Sequence, residues 1–342
     1  MKKSLIALAV LAASGAAMAQ SSVTLYGVVD TGLTYSKGEE SVYGMTHLGG
    51  NVNSRLGFRG VEDLGGGLKA GFWLEGEIFG DNGNANGFNF QRRSTVSLMG
   101  GFGEVRMGRD LTPNYSKTIS YDLFGQTGIG QFMGWTGNWD GIDGDSGNAL
   151  RSSNMISYYT PNFSGFTAGL GYGFDEQTTG KAGRYIGGYA AYDNGPLSVA
   201  LSYDERNVAA NFDRNTFTVA GSYNMNVVKL NAIVQQTKDD VIGTDSKVNA
   251  YALGASAPLG AGEVKLQYAM YDQKAIDSKA HHISLGYVHN LSKRTAVYGT
   301  VSYMDNKDSS KVGLSVKGLS EVKGPATGES QTGVQVGIRH AF

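Results

Sequence analysis

The sequence predicts an all-β chain: a sixteen-stranded antiparallel transmembrane β-barrel with a long third loop folded into its lumen. Three observations predict it. Apolar residues recur at every second position in many short segments. Tight turns and longer polar loops alternate between those segments. Beyond the N-terminal leader, no apolar window reaches the ~18 residues that a spanning helix requires.

The leader comes first. Met1-Lys2-Lys3 is a basic start, Leu5–Ala13 is an unbroken apolar run, and Ala17-Met18-Ala19 supplies small residues for a peptidase. That order is a secretory signal, expected to be cleaved before Gln20, because the run is far shorter than the ~20 residues of a membrane anchor. The expected division is therefore a signal peptide at 1–19 and a barrel at 20–342. Losing Lys2 and Lys3 takes the 29 basic residues to 27 against 30 acidic ones, a charge of −3.

Composition narrows the function classes. A net charge of −1 for the whole chain argues against a partner that must be bound by neutralising phosphates, so no nucleic acid is expected. With no Cys there is no disulfide scaffold, Cys-type zinc site or thiol nucleophile. Charged residues at 17% fall below the ~25% of soluble domains, and 51 Gly with 19 Tyr suit tight turns and closely packed strands.

Alternation then marks the strands. Leu197, Val199, Leu201 and Tyr203 alternate with Ser198, Ala200, Ser202 and Asp204; Val264, Leu266, Tyr268 and Met270 alternate with Glu263, Lys265, Gln267 and Ala269. Such strands carry one apolar and one polar face. The first half reads as strands at 22–36, 53–62, 66–79, 90–100, 102–109, 151–161, 164–175 and 182–194. The second half reads as 196–207, 213–225, 227–239, 246–258, 262–274, 279–291, 293–306 and 331–342. Short turns fall at Glu62–Gly66, Gly100–Gly103, Pro161–Gly165, Asn194–Pro196, Met225–Val227, Pro258–Gly262 and Leu291–Lys293. Longer loops fall at 37–52, 80–89, 110–150, 176–181, 208–212, 240–245, 275–278 and 307–330. So many two-faced strands exceed what one soluble core can cover. A barrel instead turns the apolar face to lipid and the polar face to a water-filled lumen.

The third loop, Asp110–Leu150, far exceeds the ~12–15 residues at which a structureless loop becomes suspect. It carries Tyr115, Tyr121, Phe124, Phe132, Trp135 and Trp139, and so is expected to lie against the inner wall. The last segment alternates Val334, Val336, Ile338, His340 and Phe342 with polar or small residues. Its terminal aromatic Phe342 is expected to act as a signal for outer-membrane assembly.

Four strings carry a family resemblance: Ser22–Asp30 (SVTLYGVVD), Ser54–Lys69 (SRLGFRGVEDLGGGLK), Gly101–Arg109 (GFGEVRMGR) and the terminal His340-Ala341-Phe342. Together they resemble the Gram-negative general porins, especially the β-proteobacterial branch that includes the neisserial porins. The resemblance implies a homotrimer of sixteen-stranded barrels in the outer membrane of a Gram-negative bacterium. It implies lipid, lipopolysaccharide and the barrel-assembly machinery as partners, no cofactor, and no enzymatic activity. The implied activity is passive diffusion of ions and small hydrophilic solutes.

Strand parity selects the charges that face the lumen. Outward Leu56 and Phe58 leave Arg55 and Arg59 inward, outward Ile156 and Tyr158 leave Arg151 inward, and Leu74 and Ile78 leave Glu75 and Glu77 inward. The resemblance places Arg55, Arg92 and Arg151 on a basic wall facing the loop. Here Gln91-Arg92-Arg93 departs from the family's usual Asn-Arg-Gln, which leaves open which of the adjacent arginines faces the lumen. On the loop side, Asp122 in Asp122-Leu123-Phe124-Gly125 is the matched acid, while the neisserial Pro-Glu-Phe-Gly string is absent. The expected constriction is therefore Arg55, Arg92 and Arg151, with Asp122, Glu75 and Glu77 opposing them, and a weak anion preference.

Other readings fit the residues less well. Gly169–Gly173 brushes a dinucleotide glycine pattern but lies inside a strand. Asp140–Gly147 (DGIDGDSG) resembles a calcium loop but lacks the closing Glu. His47, His281, His282, His289 and His340 show no metal-ligand spacing. A substrate-specific sugar or organic-anion porin would show an aromatic ladder in the lumen. A barrel hydrolase would need a Ser-His-acid set on one face, and a surface adhesin would not need the inward charges.

Overall fold

The computed structural model describes residues 22–46, 49–83, 89–135, 150–209, 212–239, 246–314 and 325–342. The signal peptide at 1–19, Trp139 and the Asp140–Gly147 segment lie outside the described residues.

Among the described residues, seventeen strand segments form the wall. They are β1 (Ser22–Lys37), β2 (Ser41–Thr46), β3 (Arg55–Gly65), β4 (Leu68–Glu77), β5 (Arg93–Gly100) and β6 (Gly103–Leu111). After the third loop come β7 (Arg151–Tyr159), β8 (Phe166–Gly173), β9 (Tyr185–Asn194), β10 (Leu197–Ala209), β11 (Phe212–Asn224) and β12 (Lys229–Asp239). The wall ends with β13 (Ser246–Leu259), β14 (Gly262–Gln273), β15 (Ser278–Asn290), β16 (Thr295–Asp308) and β17 (Ser330–Ala341).

From β3 onward each strand pairs antiparallel with the next, and β17 closes on β1 from Val28↔Ala341 to Lys37↔Thr332. The other edge of β1 is shared. Its Gly32–Lys37 half pairs with β2, and its Ser22–Val28 half pairs with β3. β2 and β3 thus fill one position between them, and the barrel has sixteen positions. Closure matters energetically, because an open sheet edge in hydrocarbon would leave each unpaired N–H and C=O several kcal/mol worse off.

Burial is inverted relative to a soluble protein. Leu253 is 65% exposed and Leu170 64%, whereas Ser202 and Thr218 are 0% exposed and Gln235 is 2%. Apolar side chains therefore face outward as a lipid-facing band, and polar ones face the interior. The tight turn between β3 and β4 is glycine for a conformational reason: Gly65, Gly66 and Gly67 all hold positive φ, at +85°, +62° and +81°.

Between β2 and β3 the chain leaves the wall and is clasped by an interior carboxylate. Asp30 accepts the backbone N–H groups of Gly50 (3.3 Å), Asn51 (3.1 Å) and Val52 (2.8 Å) and the hydroxyl of Tyr298 (2.6 Å). Ser54 Oγ donates to the Asp30 carbonyl at 2.7 Å. Four donors on one buried carboxylate satisfy it without an opposing charge.

Candidate functional site

The third loop begins with a turn of helix, Pro113–Thr118, whose first position suits proline because its missing N–H would have no partner there. A 3₁₀ turn, Ile119–Tyr121, follows. The described part of the loop then runs to Trp135, bonded throughout to the inward faces of the wall. Asn114 Oδ1 accepts from Ser202 of β10 (3.2 Å), and the Tyr121 carbonyl accepts from Asn231 of β12 (3.1 Å). Lys265 of β14 donates to the Leu123 carbonyl (2.9 Å), and Tyr271 Oη accepts the Met133 N–H (3.0 Å). Ile129 reaches β15 and β17 through His282 Nε2 (3.1 Å) and Gln335 Oε1 (3.4 Å).

Asp122 organises this segment. Its Oδ1 accepts from Phe124 N (3.1 Å) and Gln267 Nε2 (3.0 Å), and its Oδ2 from Gln126 N (2.8 Å) and Phe132 N (3.1 Å). Burial pushes its carboxyl above the usual range, while these donors pull it back down. Around it Phe132 packs edge-on to Trp135 with centroids 5.1 Å apart, and Tyr115 does the same at 5.5 Å. The wall makes room with glycine. A Cβ on Gly254 would lie 2.5 Å from Leu123 Cδ1, and one on Gly286 would lie 2.8 Å from Phe124 Cε1.

On the opposite part of the wall the predicted charges converge. Arg92 is 8% exposed, with its Nε 2.7 Å from Glu75 Oε1 and its Nη1 3.1 Å from Glu77 Oε1. Arg55 lies 3.6 Å from the second Glu75 oxygen, which also accepts the Tyr26 hydroxyl at 2.8 Å. Arg151 Nε donates to the Arg92 carbonyl at 2.9 Å. Among the described residues no carboxylate lies within ion-pair distance of Arg151. Local charge is thus three cations against two anions.

Two expectations change here. Glu75 and Glu77 do not oppose the arginines across the lumen. Both stand on β4, beside β3 and its Arg55, with register partners Gly57↔Glu75 and Arg55↔Glu77, and they neutralise part of the basic wall. Asp122 is not a group facing the arginines either: it is 5% exposed and spent on holding the loop together.

The choice between Arg92 and Arg93 resolves to both. Arg93 stacks over Trp73, its guanidinium carbon 4.0 Å from the ring centroid, and pairs with Asp110 at 3.3 Å. Arg106 balances that corner through Glu104 (3.0 Å) and Asp110 (2.7 Å). Arg59, a charge that parity had turned inward without a role, stacks on Tyr26 (5.4 Å) and Trp73 (5.3 Å) with no carboxylate partner among the described residues. Its signal in the sequence was the inward parity it shares with Arg55. The anchors Gln267, Tyr271 and Gln335 were missed, although each occupies a lumen-facing position in an alternating strand.

The comparisons agree with this architecture. A family model described as Gram-negative porin matches residues 5–309. The outer membrane porin protein 32 of Delftia acidovorans is 64% identical over the whole of both chains. An outer membrane porin protein of Bordetella pertussis is 34% identical, again over the whole of both. Among solved structures, the anion-selective porin from Comamonas acidovorans superposes with a TM-score of 0.88 at 60% identity, covering 94% of this chain and all of that one. A closed barrel of sixteen positions, polar inside and apolar outside, with such relatives along its full length, places the chain in the Gram-negative porin family.

Proposed function

We propose that this outer-membrane porin passes small anions somewhat more readily than cations, through a lumen narrowed by the third loop. The observation that carries this reading is the charge on the wall facing the loop: Arg55, Arg92 and Arg151 against Glu75 and Glu77, with Arg59 alongside. A surplus of fixed cations in a narrow aqueous passage raises the local anion concentration. The solved relative described as anion-selective supports the same sign. Reversal potential across a planar bilayer in a KCl gradient is the test. The expected sign is that of chloride preference, stronger near 0.1 M, where the Debye length is ~10 Å, than near 1 M, where it is ~3 Å. A potential of cation-selective sign at low salt would overturn the reading.

A sugar-specific channel is disfavoured by how the inward aromatics are used. Trp73 has Arg93 and Arg59 over its ring, and Tyr26 meets it edge-on at 87°, so their faces are already covered.

The assembly reading is also a proposal: export by the 1–19 leader, recognition of the C-terminal strand by the barrel-assembly machinery, and a homotrimer in the membrane. Phe342 supports it. Its backbone exchanges two hydrogen bonds with Gly27 (3.1 and 3.0 Å), and its ring lies where a Gly27 side chain would stand. Deleting Phe342 should leave the protein in the periplasm at undiminished synthesis, and normal outer-membrane levels would remove that role. Semi-native electrophoresis should show a heat-modifiable trimer; monomer alone across several mild detergents would count against it.

A further inference from the structure

The clasp on Asp30 stands at a break in the wall. β1 changes partner along one edge, pairing with β3 as far as Val28↔Arg55 and with β2 from Gly32↔Thr46. Among the described residues, no strand pairs with residues 29–31 on that edge. Ser54 takes the strand's place, accepting the Asp30 N–H at 2.9 Å and donating to the Asp30 carbonyl at 2.7 Å. The chain just before Ser54 turns inward instead of pairing, and Gly49 and Gly50 are buried there.

The Asp30 carboxylate gathers this inward segment. The consecutive N–H groups of Gly50, Asn51 and Val52 point at its oxygens, the arrangement in which a peptide chain cups an anion. The Tyr298 hydroxyl works on both sides: it donates to Asp30 Oδ1 at 2.6 Å and accepts the Gly50 N–H at 2.8 Å. Gly49 permits the approach. It holds φ +85°, and a Cβ there would lie 2.5 Å from Asp30 Cγ.

From this anchor the segment reaches both the basic wall and the third loop. Toward the wall, the Asn53 carbonyl accepts Arg55 Nη1 at 3.2 Å, on the guanidinium whose Nε lies 3.6 Å from Glu75. Toward the loop, Asn53 Oδ1 accepts the Thr127 hydroxyl at 3.4 Å. The Gly50 carbonyl lies so close to Gly128 that a Cβ on Gly128 would collide with it. Gln335 Oε1 fills the same corner and accepts the Ile129 N–H at 3.4 Å. The loop at 127–129 and the Arg55 guanidinium thus take their places against residues 50–53.

We infer that Asp30 and Tyr298 are positioning residues for the constriction: through residues 50–53 they fix the separation between the third loop and the basic wall. Asp30 is 0% exposed and Tyr298 6%, so both act through the segment and neither meets a permeating ion. The role is distinct from that of Asp122, which gathers the loop's own N–H groups and touches none of residues 50–53. The inference rests on the reading that the loop and the arginines bound the passage.

The test reads the loop contact directly. The chain has no Cys, so Thr127→Cys gives a single thiol at the contact and Ser116→Cys a control thiol near the start of the loop. Each is labelled with a membrane-impermeant thiol reagent in the purified, folded porin, alone and combined with Asp30→Asn or Tyr298→Phe. Asn keeps the size of the side chain but turns an NH₂ toward N–H donors, and Phe removes only the hydroxyl with its two bonds. Asp30→Asn should speed labelling at position 127 on the order of tenfold, Tyr298→Phe by less, and neither should change it at 116. Single-channel conductance should become noisy in both, while the reversal potential keeps its sign because no cation is lost. Heat-modifiable mobility verifies a closed barrel, and if Asp30→Asn does not form one, Tyr298→Phe decides by the same contrast. Unchanged labelling at 127 in the folded variants would overturn the inference. So would equal acceleration at 116 and 127, which marks a general loosening of the barrel. A failure of the selectivity reading shows elsewhere, as a wild-type potential of cation-selective sign with the labelling contrast intact.

Discussion

Serine at Arg55, Arg92 and Arg151 together should reverse the sign of the low-salt reversal potential. The expectation is stronger than loss of three cations would suggest, because Glu75 and Glu77 stay behind. With Arg92 gone, the two carboxylates it holds at 2.7 and 3.1 Å become uncompensated, and the wall passes from a surplus of cations to a surplus of anions. A unit charge 4 Å from a passing ion contributes ~1 kcal/mol in bulk water and ~4 kcal/mol at the effective dielectric near a protein wall. Each step of ~1.4 kcal/mol is tenfold in a partition ratio. The anion-to-cation ratio should therefore fall by at least about tenfold at low salt, and single-channel conductance should rise as three long side chains leave the passage. The single variants divide the effect. Arg151→Ser removes one cation that has no described acid partner, whereas Arg92→Ser also frees Glu77, leaves Glu75 only Arg55 at 3.6 Å, and should shift the potential further. A triple variant with the wild-type potential at low salt would show that selectivity resides elsewhere.

How much of this was legible beforehand follows from the distance over which each feature is determined. A strand's two faces are set by neighbours two residues apart, so Leu197–Asp204 announces its orientation locally, and the sixteen wall positions follow from such segments. β2 was not legible. Its six residues include Gly44 and lie in a polar stretch, and they become a strand only because the far half of β1 would otherwise lack a partner on that edge. Parity gives Arg55, Glu75 and Glu77 a common side of the wall but cannot say which stands beside which, since that depends on the β3–β4 register. It also had nothing to say about Arg92, which lies one residue outside β5, where the two-residue period no longer governs direction. The role of Asp122 was the least legible. Its partner Gln267 is 145 residues away, and no local pattern distinguishes an acid that faces the channel from one that gathers backbone N–H groups.

That gathering role sets the remaining large effect. Asp122→Ala should release the loop from the wall while leaving the barrel closed. Removing the carboxylate strands the buried N–H groups of Phe124, Gln126 and Phe132 and leaves the Gln267 amide only the Gly130 carbonyl at 3.3 Å. An unsatisfied buried donor costs ~1–3 kcal/mol, so the segment loses on the order of 4 kcal/mol or more unless water enters and the loop moves. The barrel does not share that loss. Its strands are held by their own ladders, and the Asp30 clasp and the β1–β17 seam involve none of these groups. The variant should therefore keep heat-modifiable mobility and yet show noisy, higher conductance, together with new protease cleavage between residues 112 and 135. Asp122→Asn keeps one acceptor oxygen and turns an NH₂ toward donors on the other side, so it should fall between wild type and Ala. The loop's other attachments argue that it loosens without detaching from the wall: Lys265 to the Leu123 carbonyl, Tyr271 to Met133 and the Phe132–Tyr271 ring contact at 5.8 Å all remain. Adding Gln267→Ala to Asp122→Ala should loosen the loop further, because Gln267 also accepts the Leu123 N–H at 3.1 Å and donates to the Gly130 carbonyl at 3.3 Å. A single variant with wild-type conductance and protease resistance would show that the loop is held by the aromatic cluster and not by the carboxylate.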